Sequence, residues 1–156
     1  MAVTESGYAF QRDALALLLT KTRFPEKTER EAPIIIGFLQ SRGALYDTYE
    51  FSVRVGTPAT PDPSHPEGVQ RSTVFSSRKR IDMVLTAGDQ LTIVEVKERI
   101  TPHVLGQLVT YQHLLMEDRG LRDPPALLAI GRYSDDDTRR VLQANGVTIY
   151  EYPADD

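Results

Sequence analysis

The most regular hydrophobic pattern lies in residues 76–98, SSRKRIDMVLTAGDQLTIVEVKE. RIDMVLT and QLTIVEVKE read as strands, and Ala-Gly-Asp between them as a tight turn, which predicts a hairpin. In PHVLGQLVTYQHLLMED (102–118), apolar residues at 104, 105, 108, 109, 114 and 115 form a helical stripe with Pro102 at its start. ALLAIG (126–131) is a short unbroken apolar run, the pattern of a strand buried on both faces. SDDDTRRVLQANG (134–146) predicts a helix with a Ser/Asp cap, acids in its first turn and a Gly stop. VTIYEY (147–152) is the last predicted strand.

Upstream the pattern is less regular. Residues 8–20 (YAFQRDALALLLT) are Ala/Leu-rich and predict a helix, ended by Lys21, Arg23 and Pro25. Residues 24–32 are polar, a linker or the first turn of the next helix. Pro33 suits a first helical turn, and IIIGFLQSR runs from it to a Gly43 stop, although Ile-Ile-Ile also suits a strand. Residues 1–44 thus read as a helical N-terminal part. LYDTYEFSVRVG (45–56) predicts a strand. Residues 57–72 hold four prolines from Pro58 to Pro66 and read as a long exposed loop, closed to helix and central strand alike. The order is helix, helix, strand, loop, hairpin, helix, strand, helix, strand. It predicts an α/β fold with a mixed central β-sheet flanked by helices.

Composition bounds this picture. At 156 residues one domain over 1–156 is the default. The absence of Cys excludes a disulfide framework, a thiolate zinc site and a Cys nucleophile, and is compatible with a reducing cytoplasm. No apolar run nears the roughly 18 residues of a membrane span, and MAVTESGYAF lacks the pattern of a signal peptide. The net charge of −4 does not favour a polyanionic partner in bulk. Residues 71–99, however, hold six basic residues (Arg71, Arg78, Lys79, Arg80, Lys97, Arg99) against four acidic ones (Asp82, Asp89, Glu95, Glu98). That local excess suits phosphate binding, although Arg78, Lys79 and Arg80 also read as a solvated strand end.

The candidate chemistry concentrates in the hairpin. Residues two apart on a strand share a face, so Glu95 and Lys97 point together while Val94 and Val96 point into the core. Asp82 lies on the partner strand. Two carboxylates near one another repel unless a cation joins them. Oxygen ligands without Cys or His suit Mg²⁺ or Mn²⁺, which lowers the pKa of a bound water and stabilises charge on phosphate. Taken alone, the same residues also read as a same-face salt bridge and a strand-end acid. His65, His103 and His113 are too scattered for a helical two-histidine metal site. Asp135, Asp136 and Asp137 diverge around a helix start and read as a cap, and the acidic end through Asp156 as a frayed tail.

RKRIDMVL…QLTIVEVKE followed by GQLVTYQHLL resembles the PD-(D/E)XK nuclease superfamily. Asp82 matches the motif aspartate, with Ile81 in place of its proline, and Glu95-Val96-Lys97 matches E-x-K. Gln107 and Tyr111, one helical turn apart, match the Q-x-x-x-Y motif of the RecB-like branch. Residues 78–152 are most similar to the nuclease domain of NucS/EndoMS mismatch endonucleases, whose N-terminal dimerisation domain has no counterpart here. The resemblance covers about half of the chain. It implies a restriction-endonuclease-like core in which Asp82, Glu95 and the Val96 carbonyl bind Mg²⁺ or Mn²⁺. Lys97 then positions or activates water, and Gln107 and Tyr111 contact the site or the DNA backbone. Glu31 or Glu29 matches the acid often found on the first helix; Glu31 is the one carried over, and it equally reads as an acid favoured by a helix N-terminus. Arg78, Lys79, Arg80 and Arg99 are the expected DNA contacts.

The leading expectation is a metal-dependent DNA nuclease, with a homodimer or a larger assembly as the setting for a duplex cut. The alternative is a nuclease fold used as an assembly component of a nucleoprotein or viral particle, without cleavage. A non-catalytic DNA-binding module is the third reading, and basic residues outside 71–99 are too few to favour it.

Overall fold

A computed structural model describes residues 2–4 and 7–155; Asp156 of the acidic end lies outside them. The elements are β1 (Ala2–Thr4), β2 (Gly7–Gln11), a 3-10 turn running into α1 (Leu15–Leu18), α2 (Ala32–Arg42), β3 (Thr48–Val55), α3 (Glu67–Ser77), β4 (Lys79–Ala87), β5 (Gln90–Arg99), α4 (His103–Arg119), β6 (Ala126–Tyr133), α5 (Asp136–Ala144) and β7 (Val147–Glu151). The strands form one sheet in chain order, antiparallel from β1 to β5 and parallel from β5 to β7. This is the expected mixed α/β sheet flanked by helices.

The parallel half explains the apolar runs. Strands joined through helices are covered on both faces. Phe38 and Leu39 of α2 pack with Tyr49, Met83, Val94, Val96 and Ile130 on one face. Val104, Leu108 and Leu115 of α4 and Leu142 of α5 pack with Val53, Val84, Ile93 and Ala129 on the other. The hairpin, α4, β6, α5 and β7 form where the pattern places them. Gly88 makes the hairpin turn at φ +59°, and the Asp135 carboxylate caps α5 by accepting the Thr138 N–H at 2.8 Å.

Two expectations are corrected. Residues 8–20 are not one helix, and the N-terminal part is not helical throughout. β2 pairs with β3 through Tyr8↔Phe51 and Phe10↔Tyr49, and the Phe10 ring meets Phe51 edge-on at 5.8 Å. This cross-strand aromatic packing outweighs the helix propensity of the stretch. Nor do residues 57–72 form a loop throughout. All four prolines precede Glu67, and Pro66 sits at the N-cap of α3. A proline before a helix removes no internal hydrogen bond, so the ban ends at Pro66. α3 buries none of its residues, so it carried no apolar stripe to read.

The site lies where the hairpin opens. β4 and β5 are paired from Ala87↔Gln90 to Met83↔Val94; past that point β5 continues along β6. The Asp82 carboxylate takes over there, accepting the Val96 N–H at 2.9 Å. On the other side, β3 carries Ser52 in the left-handed region at φ +55°, between the rungs Phe51↔Met83 and Val53↔Ile81. Phe51 faces the α2 core, whereas Val53 and Val55 face the α4 core. The register is the same on both sides of Ser52, so no residue is inserted; the left-handed backbone instead turns the strand so that its flanking side chains face opposite cores.

Candidate active site

Asp82 and Glu95 are brought together at the opening of the hairpin, and are only 4% and 3% exposed. Lys97 shares the face of Glu95, as the strand period requires, with Nζ 3.4 Å from Glu95 Oε1. Its side chain is 40% exposed, so the ammonium reaches solvent. Burial, then the charge of Asp82, pushes the Glu95 carboxyl up to about 8 against the pull of Lys97 and Lys27. Glu95 Oε2 is buried without a hydrogen-bond partner.

Lys27 completes this cluster, and the sequence reading missed it. It lies between α1 and α2, and its side chain is 7% exposed. Nζ stands 2.9 Å from Asp82 Oδ2 and 2.7 Å from Glu31 Oε2. Burial opposes its charge, but the two carboxylates outweigh burial and raise its pKa. Glu31 is thus joined to Asp82 through Lys27. The only local signal was the spacing of Lys27 and Glu31, one helical turn apart; nothing in the sequence tied either to Asp82.

The adjacent Glu26 was missed too. Its carboxylate is held by the Ser52 hydroxyl and Arg54, with Arg80 at 3.7 Å. Burial resists, yet these groups keep it below the usual carboxylate range. Glu26 itself has φ +56°, so the residue before Lys27 and its partner Ser52 are both left-handed. Each such residue costs about 1–3 kcal/mol and persists only where its surroundings over-determine it.

The remaining candidates divide. Tyr111 stands near the acids: burial, then Glu95 and Asp82, raise its phenol, with Gln107 acting the other way. Gln107 and Tyr111 line an open groove of about 490 Å³ with Lys79, His103, Gly106 and Thr110. Arg80 faces the site, 3.7 Å from Asp82 Oδ1. Arg78 is engaged elsewhere, donating to the Gly56 carbonyl at 2.9 Å and to Asp118 at 3.0 Å. Arg99 lies over the Tyr133 ring at 5.5 Å. His113 pairs with Glu117 on the surface, and Asp136 and Asp137 pair with Arg139 and Arg140, in keeping with the capping reading. A larger cleft of about 900 Å³, between α2 and the end of β7, holds none of the candidate side chains.

Among the described residues no group of three or more His, Asp or Glu side chains is arranged to hold a metal. The donors at the hairpin opening are the two carboxylates and the Val96 backbone. A buried carboxylate oxygen without a partner is costly, and a hard cation satisfies it, so these residues fit Mg²⁺ or Mn²⁺. Gly131 supports the strand end that bears Lys97. A Cβ there would lie inside the van der Waals shell of the Lys97 carbonyl and 2.7 Å from Ile100 Cγ1. Gly131→Ala is expected to force β6 away from β5 and to cost about 1–3 kcal/mol in urea denaturation. An unchanged midpoint would show that the strands separate without cost.

No family model matches the chain, and no curated protein matches it. A crystal structure of a repair endonuclease from Pyrococcus abyssi is similar in chain path, with 15% sequence identity and a TM-score of 0.44 over 84% of this chain. The chain spans about half of that protein, 49% of its length. No helix among the described residues is long and apolar enough to cross a membrane.

Proposed function

We propose that the chain is a metal-dependent nuclease that hydrolyses phosphodiester bonds of DNA. The observation that carries this reading is the buried Asp82–Glu95 pair, with one carboxylate oxygen unpartnered and Lys97 reaching from the same strand face to solvent. The resemblance to PD-(D/E)XK nucleases of the RecB-like branch supports it.

Asp82, Glu95 and the Val96 carbonyl would hold Mg²⁺ or Mn²⁺, which supplies an activated water and charge stabilisation on phosphate. Lys97 holds the attacking water and meets the charge that develops on the phosphate oxygens. Water forms the new P–O bond, the ester P–O bond breaks, and the leaving oxygen takes up a proton. Tyr111 and Gln107, with Lys79 beside them, hold the backbone of the strand in their groove. Arg80 stands closest to the acids for a phosphate.

Calorimetric titration with Mn²⁺ and Mg²⁺, with plasmid and single-strand cleavage on the same samples, tests this. The wild type is expected to bind and cut, and Glu95→Ala to do neither. Lys97→Met is expected to keep metal binding and lose about 10²-fold or more in cleavage rate. A well-folded wild type that neither binds nor cuts overturns the reading. It would favour the assembly-component reading, for which the metal-free neutralisation of Asp82 by Lys27 speaks.

A further inference from the structure

Two carboxylates meet on one ammonium, with a third acid near it. Lys27 Nζ bridges Asp82 Oδ2 at 2.9 Å and Glu31 Oε2 at 2.7 Å, and its charge is felt by Glu95. The ammonium lies between Glu31 and the Asp82–Glu95 pair. A buried ion pair repays the desolvation of both partners only when its geometry is good and its other bonds are met. Here the backbone is arranged for it. Glu26, strained at φ +56°, is clipped to Ser52 and Arg54 of β3, and the Phe24 ring, 5.2 Å from that of Phe51, anchors the turn before it. The next side chain, Lys27, is thereby aimed at Asp82.

We propose that Lys27 is an internal counter-ion that holds the place of the divalent cation and competes with it for Asp82. This inference rests on the metal-dependent reading of the site. In the metal-free protein a single positive charge, shared by Asp82 and Glu31, offsets part of their negative charge and keeps the hairpin opening intact. A divalent ion bringing two charges displaces the ammonium, whose flexible four-carbon stem swings toward solvent beside Glu31. Glu31, 18% exposed, is then free to join the acid pair. Lys27 thus sets the cation concentration at which the site fills, and disfavours monovalent ions that offer no gain over its own charge.

A purely structural lysine predicts the opposite response to mutation. Removing a competitor tightens metal binding by the free energy of the lost competition, whereas removing a support weakens it. The test is calorimetry with MnCl₂ on wild type and Lys27→Met, which keeps the apolar stem. Lys27→Met is expected to bind Mn²⁺ about tenfold tighter or more. Equal or weaker binding by the variant, beside a wild type that binds, overturns the inference and leaves the proposed function standing. No binding by either protein overturns both.

A second measurement needs no variant. Wild type is treated with an amine-acylating reagent with and without saturating Mn²⁺, and modification is read by mass spectrometry at Lys27 and at Lys21. Lys27 is expected to be protected without metal and labelled several-fold faster with it, while Lys21 stays constant. Unchanged Lys27 labelling in a protein that calorimetry shows to be loaded overturns the inference.

Discussion

Glu95→Gln is expected to abolish cleavage and yet to stabilise the metal-free protein. Glu95 is almost wholly buried beside Asp82, and its carboxyl is pushed from the ordinary 4.5 up to about 8. At neutral pH the folded protein therefore holds a proton that the unfolded chain has released. Stability falls wherever the folded state binds the extra proton, here as pH rises from about 4.5 to about 8. Each tenfold change in proton affinity corresponds to about 1.4 kcal/mol, so the cost at neutral pH is on the order of 3 kcal/mol, or roughly 6–12 °C in melting temperature. Gln presents the same shape without the proton and escapes this cost. Thermal melts from about pH 5 to about pH 9 should show the wild type losing stability with pH and Glu95→Gln losing much less. Saturating Mn²⁺ should reverse the ranking, because the metal stabilises only the protein that binds it. Cleavage by Glu95→Gln should fall on the order of 10³-fold or more. Parallel pH profiles for the two proteins would show that Glu95 titrates normally and would remove the basis for the stability gain.

Asp82→Ala is expected to have the same effect on cleavage and the opposite effect on stability. Asp82 accepts the Val96 N–H where the β4–β5 pairing stops, and it neutralises buried Lys27. Its removal leaves a buried backbone donor unpaired and a buried ammonium with Glu31 as its remaining close acid. Breaking one side of a buried pair costs about 3–5 kcal/mol, read as a lowered midpoint in urea. Asp82→Asn keeps an acceptor for Val96 and should lose less. The two acids are alike in residue class, burial and distance along the hairpin. They differ in their partners: Asp82 has the buried Lys27 at 2.9 Å and the Val96 N–H, whereas Glu95 has the more exposed Lys97 at 3.4 Å and one oxygen without a partner. If Asp82→Ala proved as stable as wild type, the Lys27 ion pair would not be what holds the hairpin opening.

Much of this arrangement was legible in the residues. Two apolar runs at 81–87 and 90–97 around a Gly turn show both strands of the hairpin, and the strand period alone puts Glu95 and Lys97 on one face. The apolar stripe of α4, the Asp135 cap and the unbroken run of β6 are equally local signals. The errors fell where local preference lost to distant packing. Tyr8 and Phe10 sit in a stretch that favours helix, and only β3 offers the edge and aromatic partners that make it β2. α3 shows no apolar face because it buries nothing.

Residue order thus accounts for the hairpin strands, the helix stripe and caps, and the acid–acid–lysine pattern, because each depends on neighbours within a few positions. The partnership of Lys27 with Asp82, the clip of Glu26 on Ser52 and Arg54, and the contrast between the two acids exist only in the folded chain. Ion pairing and desolvation depend on distance in space and on excluded water. Neither is set until α2, β3 and the hairpin pack around the same few ångströms.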